Sequence, residues 1–185
     1  MARVRSLLAL SALVAVLATT GLAHATVVVP LSLSDQVGRA DRIVRGQVVA
    51  MRSAYSPERG AILTWTELRV TETLKGPAAP VLVVRQMGGT ANGQTQLVPG
   101  DAHFEIGDDV VVFLRDDASG DNVFLFALAQ SAYFVSGASA SRDLSQLTFA
   151  VMGQRGMQLS EPGAEPSVRV DALLTEIRSL LGGAR

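Results

Sequence analysis

The amino-acid sequence predicts a mainly β protein: a small OB-like, Greek-key β-barrel with a short N-terminal helix and an amphipathic C-terminal helix. Three observations carry that prediction. Residues 62–114 hold long β-forming runs punctuated by Lys75-Gly76-Pro77, Gly88-Gly89 and Gly107-Asp108-Asp109. Shorter strand-like runs follow, separated by Ser, Gly and Ala, as in barrels and sandwiches. The apolar period becomes strongly helical only near the end, after the linker SEPGAEPS at 160–167.

The chain opens with Arg3 and Arg5, an apolar run over 7–17 broken by Ser11, and small residues ending in Ala23-His24-Ala25. These are the three parts of a secretory signal peptide, 1–25, cleaved between Ala25 and Thr26. An uncleaved anchor is the alternative, but the apolar run falls short of the roughly 20 residues a span needs. The mature chain then divides into a barrel domain (26–159), the linker (160–167) and a C-terminal helix (168–185), with no transmembrane segment. Losing Arg3 and Arg5 lowers the basic count from 16 to 14 against 17 acids, a net charge near −3. The charges are scattered, and no basic stripe for nucleic acid is present. There is no cysteine, which excludes a disulfide framework and a lipidated export signal. The expected location is the periplasm or the extracellular space.

Residues 31–42 begin with Ser32 three positions before Asp35, a capping box, and Leu33, Val37 and Ala40 fall on one face. This reads as a short helix, interrupted or weakened by Gly38, against the sheet edge; an irregular lead-in is the alternative. Residues 43–55 form a long strand, with Ile43, Arg45, Gln47, Val49 and Met51 on one face and Gly46 marking a bulge or bend. The turn 56–60 (SPERG) leads to a second strand, 62–74, whose period-two pattern indicates a half-buried antiparallel partner. A third, interior strand covers 81–87. Residues 88–100 read as a glycine-rich loop with a short strand at 95–98. Residues 101–106 are extended, and 110–114 (VVVFL) is apolar throughout, the pattern of a strand covered on both faces. Further strands are expected at 123–128, 133–135 and 147–152. In the last helix Leu173, Leu174, Ile177, Leu180 and Leu181 recur at helical spacing before Gly182-Gly183. Such a stripe packs on its own domain or is offered to a partner.

A short helix, a long hairpin ending in Thr73-Leu74-Lys75-Gly76, an interior strand with a Gly-Gly end, and the run Phe104-Glu105-Ile106-Gly107-Asp108-Asp109 with Phe113-Leu114 resemble a group of small exported bacterial proteins. Those look like the five-stranded barrel shared by OB-folds and the amino-terminal domain of tissue inhibitors of metalloproteinases. The resemblance covers about residues 31–135 and implies that barrel. Such inhibitors place a disulfide-held N-terminal cysteine on the protease zinc. Here the mature terminus is Thr26, so the inhibitory residues have no matching position.

Motifs for chemistry are sparse. The mature chain keeps one histidine, His103, and contains no G-x-S-x-G, H-E-x-x-H, phosphate loop or dinucleotide fingerprint. Asp101, His103 and Glu105 alternate along an extended segment, with Phe104 and Ile106 on its other side. Imidazole and two carboxylates suit a divalent metal. Residues two apart on a flat strand lie about 6–7 Å apart, however, and seldom converge on one ion without a bulge. The simpler reading is an exposed face whose apolar side seals the barrel. Asp108-Asp109 and Asp116-Asp117 are calcium-like acidic pairs that also suit ordinary turns. Trp65, among Thr64, Thr66 and Glu67, is either core or an exposed stacking platform.

The expectation is therefore an exported, non-enzymatic binding module without a cofactor. It would recognise an extracytoplasmic protein, a protease among the candidates, through loops 56–60 and 88–100. A metal-dependent enzyme using Asp101, His103 and Glu105 is one alternative. An envelope assembly protein using the tail helix is the other.

Overall fold

The computed structural model describes residues 26–183 except 119, 121, 155 and 164. The segment read as a signal peptide, 1–25, lies outside the described residues. The long hairpin β2 (Arg42–Ser56) and β3 (Ala61–Lys75) is the spine of the molecule. β4 (Val81–Met87) pairs antiparallel with β3, and β7 (Asp109–Asp116) pairs antiparallel with the other side of β2. β8 (Val123–Leu125) closes the ring: it runs antiparallel to the end of β7 and meets β4 in a parallel bridge at Val84 and Val123. The five strands form a closed barrel, as the sequence predicts.

The barrel interior is filled by Val44, Val48, Leu68, Leu82, Val84, Val110, Val112 and Leu114, with Ala102 and Phe104 packed onto the same cluster. Val111 and Phe113 point the other way and join Ile43 and Tyr133 beneath the two helices. This is why 110–114 carries no polar residue: the strand is covered on both faces, and all five side chains are fully buried.

Helix α1 (Leu33–Arg39) starts with the capping box read from the sequence: Asp35 N donates to Ser32 Oγ at 3.1 Å and Ser32 N to Asp35 Oδ2 at 3.2 Å. The helix continues through Gly38 without a break. It lies over the face of β2 and β7 and not at the sheet edge, because Val37 and Ala40 need the apolar floor of Ile43, Val111 and Phe113. Lys75 Nζ donates to Val37 O at 2.7 Å, placing an ammonium on the helix's C-terminal carbonyls.

The hairpin is irregular where its faces change. Pairing shifts between Arg45 and Gly46, where a Cβ on Gly46 would stand 2.8 Å from Arg69 O. A further shift between Val48 and Ala50 changes the parity of the strand. Met51 consequently packs against the barrel interior with Val44 and Val48, not on the Ile43 face expected from strict alternation.

β9 (Ala132–Ser136), β10 (Ser139–Ser141) and β13 (Val168–Arg169) extend the sheet beyond β7. The strand expected at 123–128 stops at Leu125, and the chain turns through a 3₁₀ segment, Leu128–Ser131. Helix α2 (Val170–Gly182) follows β13 directly and buries Leu173, Leu174 and Ile177 against α1 and the sheet. Arg178 pairs with Glu72 of β3, and Arg142, whose guanidinium lies 4.8 Å over the Tyr133 ring, pairs with Glu165 of the linker. The tail is thus docked on its own domain. Among the described residues no helix is long and apolar enough to cross a membrane.

Candidate functional site

Two neighbouring surfaces stand out. The first is a cleft of about 760 Å³ at the barrel mouth, bounded by β2, β3, the end of β4 and residues 88–104. Gly88 and Gly89 shape it. Both have positive φ, and a side chain on Gly89 would overlap the Ser53 and Thr64 hydroxyls. Released in this way, the chain folds back as a small hairpin, β5 (Gly89–Ala91) and β6 (Gln94–Gln96), joined by Asn92-Gly93 with φ of 53° and 74°. An Asn-Gly pair with both φ positive is a tight hairpin turn. The first part of the glycine-rich segment is therefore a hairpin, and its second arm starts one residue before and ends two residues before the strand expected at 95–98.

Hydrogen bonds fix the walls. Ser53 Oγ and Thr64 Oγ1 lie 2.8 Å apart, and Thr64 Oγ1 donates to Gly88 O at 2.8 Å. Ile62 N donates to Gln96 Oε1 at 2.9 Å, tying β6 to β3. Gln86 Nε2 donates to Ala102 O at 2.8 Å, holding the segment 101–104 across the opening.

That segment keeps the alternation read from the sequence but belongs to no strand ladder. Ala102 and Phe104 are buried, Asp101 is half-buried in the cleft, and His103 and Glu105 are exposed. Ile106 does not seal the barrel; it is exposed, because the chain turns there with Asp108 N donating to Glu105 O at 3.1 Å. Asp101 accepts from Ala102 N at 2.9 Å, and burial pushes its carboxyl pKa up, opposed by the Ala102 N–H and Gln86. Among the described residues no group of three His, Asp or Glu is placed to hold a metal. Asp101 and His103 share the cleft lining, and Glu105 does not reach it.

The acidic pairs are drawn into the scaffold. Asp109 is bidentate with Arg45 at 3.1 and 2.6 Å, and Asp116 accepts from Arg42 at 2.6 Å. Asp117 meets Arg85 at 3.1 Å, and Asp108 Oδ2 accepts from Glu105 N at 2.7 Å. Trp65 is half-buried with the Arg52 guanidinium 4.2 Å above its ring, so its platform is already covered.

The second surface is a three-stranded sheet of β1 (Thr26–Val28), β11 (Leu147–Gly153) and β12 (Gly156–Ser160). It is tied to the cleft rim: Thr26 Oγ1 donates to Pro99 O at 2.5 Å and Gly100 N to Gln146 Oε1 at 3.1 Å. Val28, Leu147 and Phe149 pack inward with Leu144 and Ala129. The register puts Val27, Ala150, Met152, Met157 and Leu159 on the opposite face. Met152, Met157 and Leu159 are 84, 72 and 62% exposed. Among the described residues β12 is the sheet edge, paired only with β11.

The sequence reading singled out Asp101, His103 and Glu105 but missed Ser53, Thr64, Gln86 and the apolar pair Met157 and Leu159. Asn92-Gly93 was an available signal for the hairpin. Nothing in 156–160 marks a strand until its pairing with β11 is seen. No protein-family model matches the chain, and no curated protein matches it.

Proposed function

We propose that the chain is an exported, non-enzymatic binding module that recognises another extracytoplasmic protein, with a protease among the candidate partners. The observation that carries this reading is the uncovered apolar face of the β1–β11–β12 sheet beside an open edge strand. An edge strand presents unpaired N–H and C=O groups to which an extended segment of a partner can add. Alternate side chains of that segment would then lie over Met152, Met157 and Leu159. Methionine suits this role because its flexible thioether adapts to varied apolar shapes. The 88–100 segment, whose Pro99 is bonded to Thr26, continues the same surface with exposed Leu97.

The other readings draw on features the fold employs elsewhere. The stripe of α2 is buried against its own sheet, and Asp101, His103 and Glu105 do not converge. The test is quantitative cross-linking and mass spectrometry in envelope and medium fractions, comparing the native chain with Met157→Asp/Leu159→Asp. One stoichiometric partner, lost in the double variant, is the expected result. Equal capture by both chains, or no partner in either fraction, overturns the reading. Mass spectrometry of the mature terminus tests export separately, with Thr26 expected first.

A further inference from the structure

We propose that the barrel-mouth cleft is a binding site for an organic cation, an ammonium or guanidinium on an apolar stem, with the Asp101 carboxylate as its counter-charge. This site adjoins the sheet face above and shares Leu97 with its rim, but it rests on Asp101, and the proposal stands whether or not that face docks a partner.

Among the described residues Asp101 is the only carboxylate lining the cleft, and no Lys or Arg lines it. No described residue forms an ion pair with Asp101. Its internal partners are neutral: the Ala102 N–H at 2.9 Å and the Gln86 amide. A carboxylate has about four lone-pair sites, so acceptor capacity remains for a donor arriving from the cleft. A carboxylate taken out of water without a counter-charge is costly, and burial already pushes this one's pKa up. An entering cation relieves that cost and an entering anion increases it.

The remaining lining selects the stem. Met51, Met87, Leu97, Val98 and Phe104 supply apolar walls around the single charge. The volume falls within the range of roughly 300–1,000 Å³ usual for small-ligand sites. A bare divalent ion is poorly served, since the neighbouring groups do not form a ligand set. On its other side Asp101 borders a smaller hollow that includes Arg59 and Arg85. Arg85 is engaged by Asp117 at 3.1 Å, and neither guanidinium pairs with Asp101. His103, the other titratable side chain of the cleft, is exposed.

The same chemistry arrives either as a free alkylamine or as a Lys or Arg side chain of a protein. Isothermal titration calorimetry on the purified chain separates these sources with four probes: n-hexylammonium, the neutral isostere hexan-1-ol, a blocked Gly-Gly-Lys-Gly-Gly peptide and its norleucine analogue. Each cation is expected to bind at least about tenfold more tightly than its neutral counterpart, and Asp101→Asn is expected to remove that preference. A tighter peptide assigns the site to a protein side chain, and a tighter free amine to a small molecule. Absence of cation binding, or equal binding of cation and neutral analogue by the native chain, overturns the proposal without reference to any variant. A preference that persists in a folded Asp101→Asn protein does so as well.

Discussion

The molecule contains two apolar sheet faces that met different fates. One, built from Ile43, Val111, Phe113 and Tyr133, is roofed by α1 and α2 and excludes solvent almost completely. The other, on β1, β11 and β12, carries Met152, Met157 and Leu159 with no roof among the described residues. The chain spends two docked helices on the first face and none on the second. Apolar surface that a protein covers itself is core, whereas the bare face is the surface to which the proposed function assigns a partner. The side chains follow that division: stiff Ile, Val and Phe under the helices, adaptable Met in the open.

The contrast can be broken from the covered side first. Ile177→Ala removes a fully buried side chain from under α2 and should cost about 2–5 kcal/mol in urea denaturation. A loss below about 1 kcal/mol would mean that α2 is not a roof. Ser32→Ala deletes the cap of α1 and should cost about 1 kcal/mol by the same measurement.

Asp101→Asn should act in the opposite direction. Burial raises the folded pKa of Asp101 above its ordinary value of 3.8, so the native carboxyl favours folding below that value. The contribution is lost as pH rises through the folded pKa. The variant should therefore melt higher than the native chain near neutral pH, with the gap closing as the pH falls towards 3.8. A constant gap across that window would refute burial as the cause. Met157→Asp with Leu159→Asp sharpens the comparison from the open side. Stability should change by about 0.5 kcal/mol or less for each, since both side chains already face water, while partner capture is lost.

The barrel was legible because its strands are long and strongly patterned. β2, β3 and β4 begin and end within a residue of the ranges read from alternation and turn chemistry, and the apolar run of β7 announced its two covered faces. Where the structure departs from the reading, the determining partner is distant in the chain. The side on which Met51 falls depends on a pairing shift with β3, which periodicity cannot register. Ser53 and Thr64 read as ordinary strand formers until Gly88 and Gly89 bring the return hairpin against them. Alternation placed Asp101, His103 and Glu105 on one side of the segment, but what distinguishes Asp101 is its burial beside Gln86 in a cleft that distant residues such as Met51 also line. β1, β10 and β13 are too short to carry a period, and β12 has no buried face to create one.

The parallel pairing of β1 with β11 also bears on when this molecule can be finished. Thr26, Val27 and Val28 find their strand partners at Leu147, Thr148 and Phe149, near the far end of the chain. The roof over Ile43 and Phe113 arrives later still, with residues 170–182. Contacts of such wide sequence separation close late, after the intervening loops have lost their freedom. Docking of β1 and of the roof therefore waits for the last third of the described chain, whereas the ring of β2, β3, β4, β7 and β8 needs residues only up to 125.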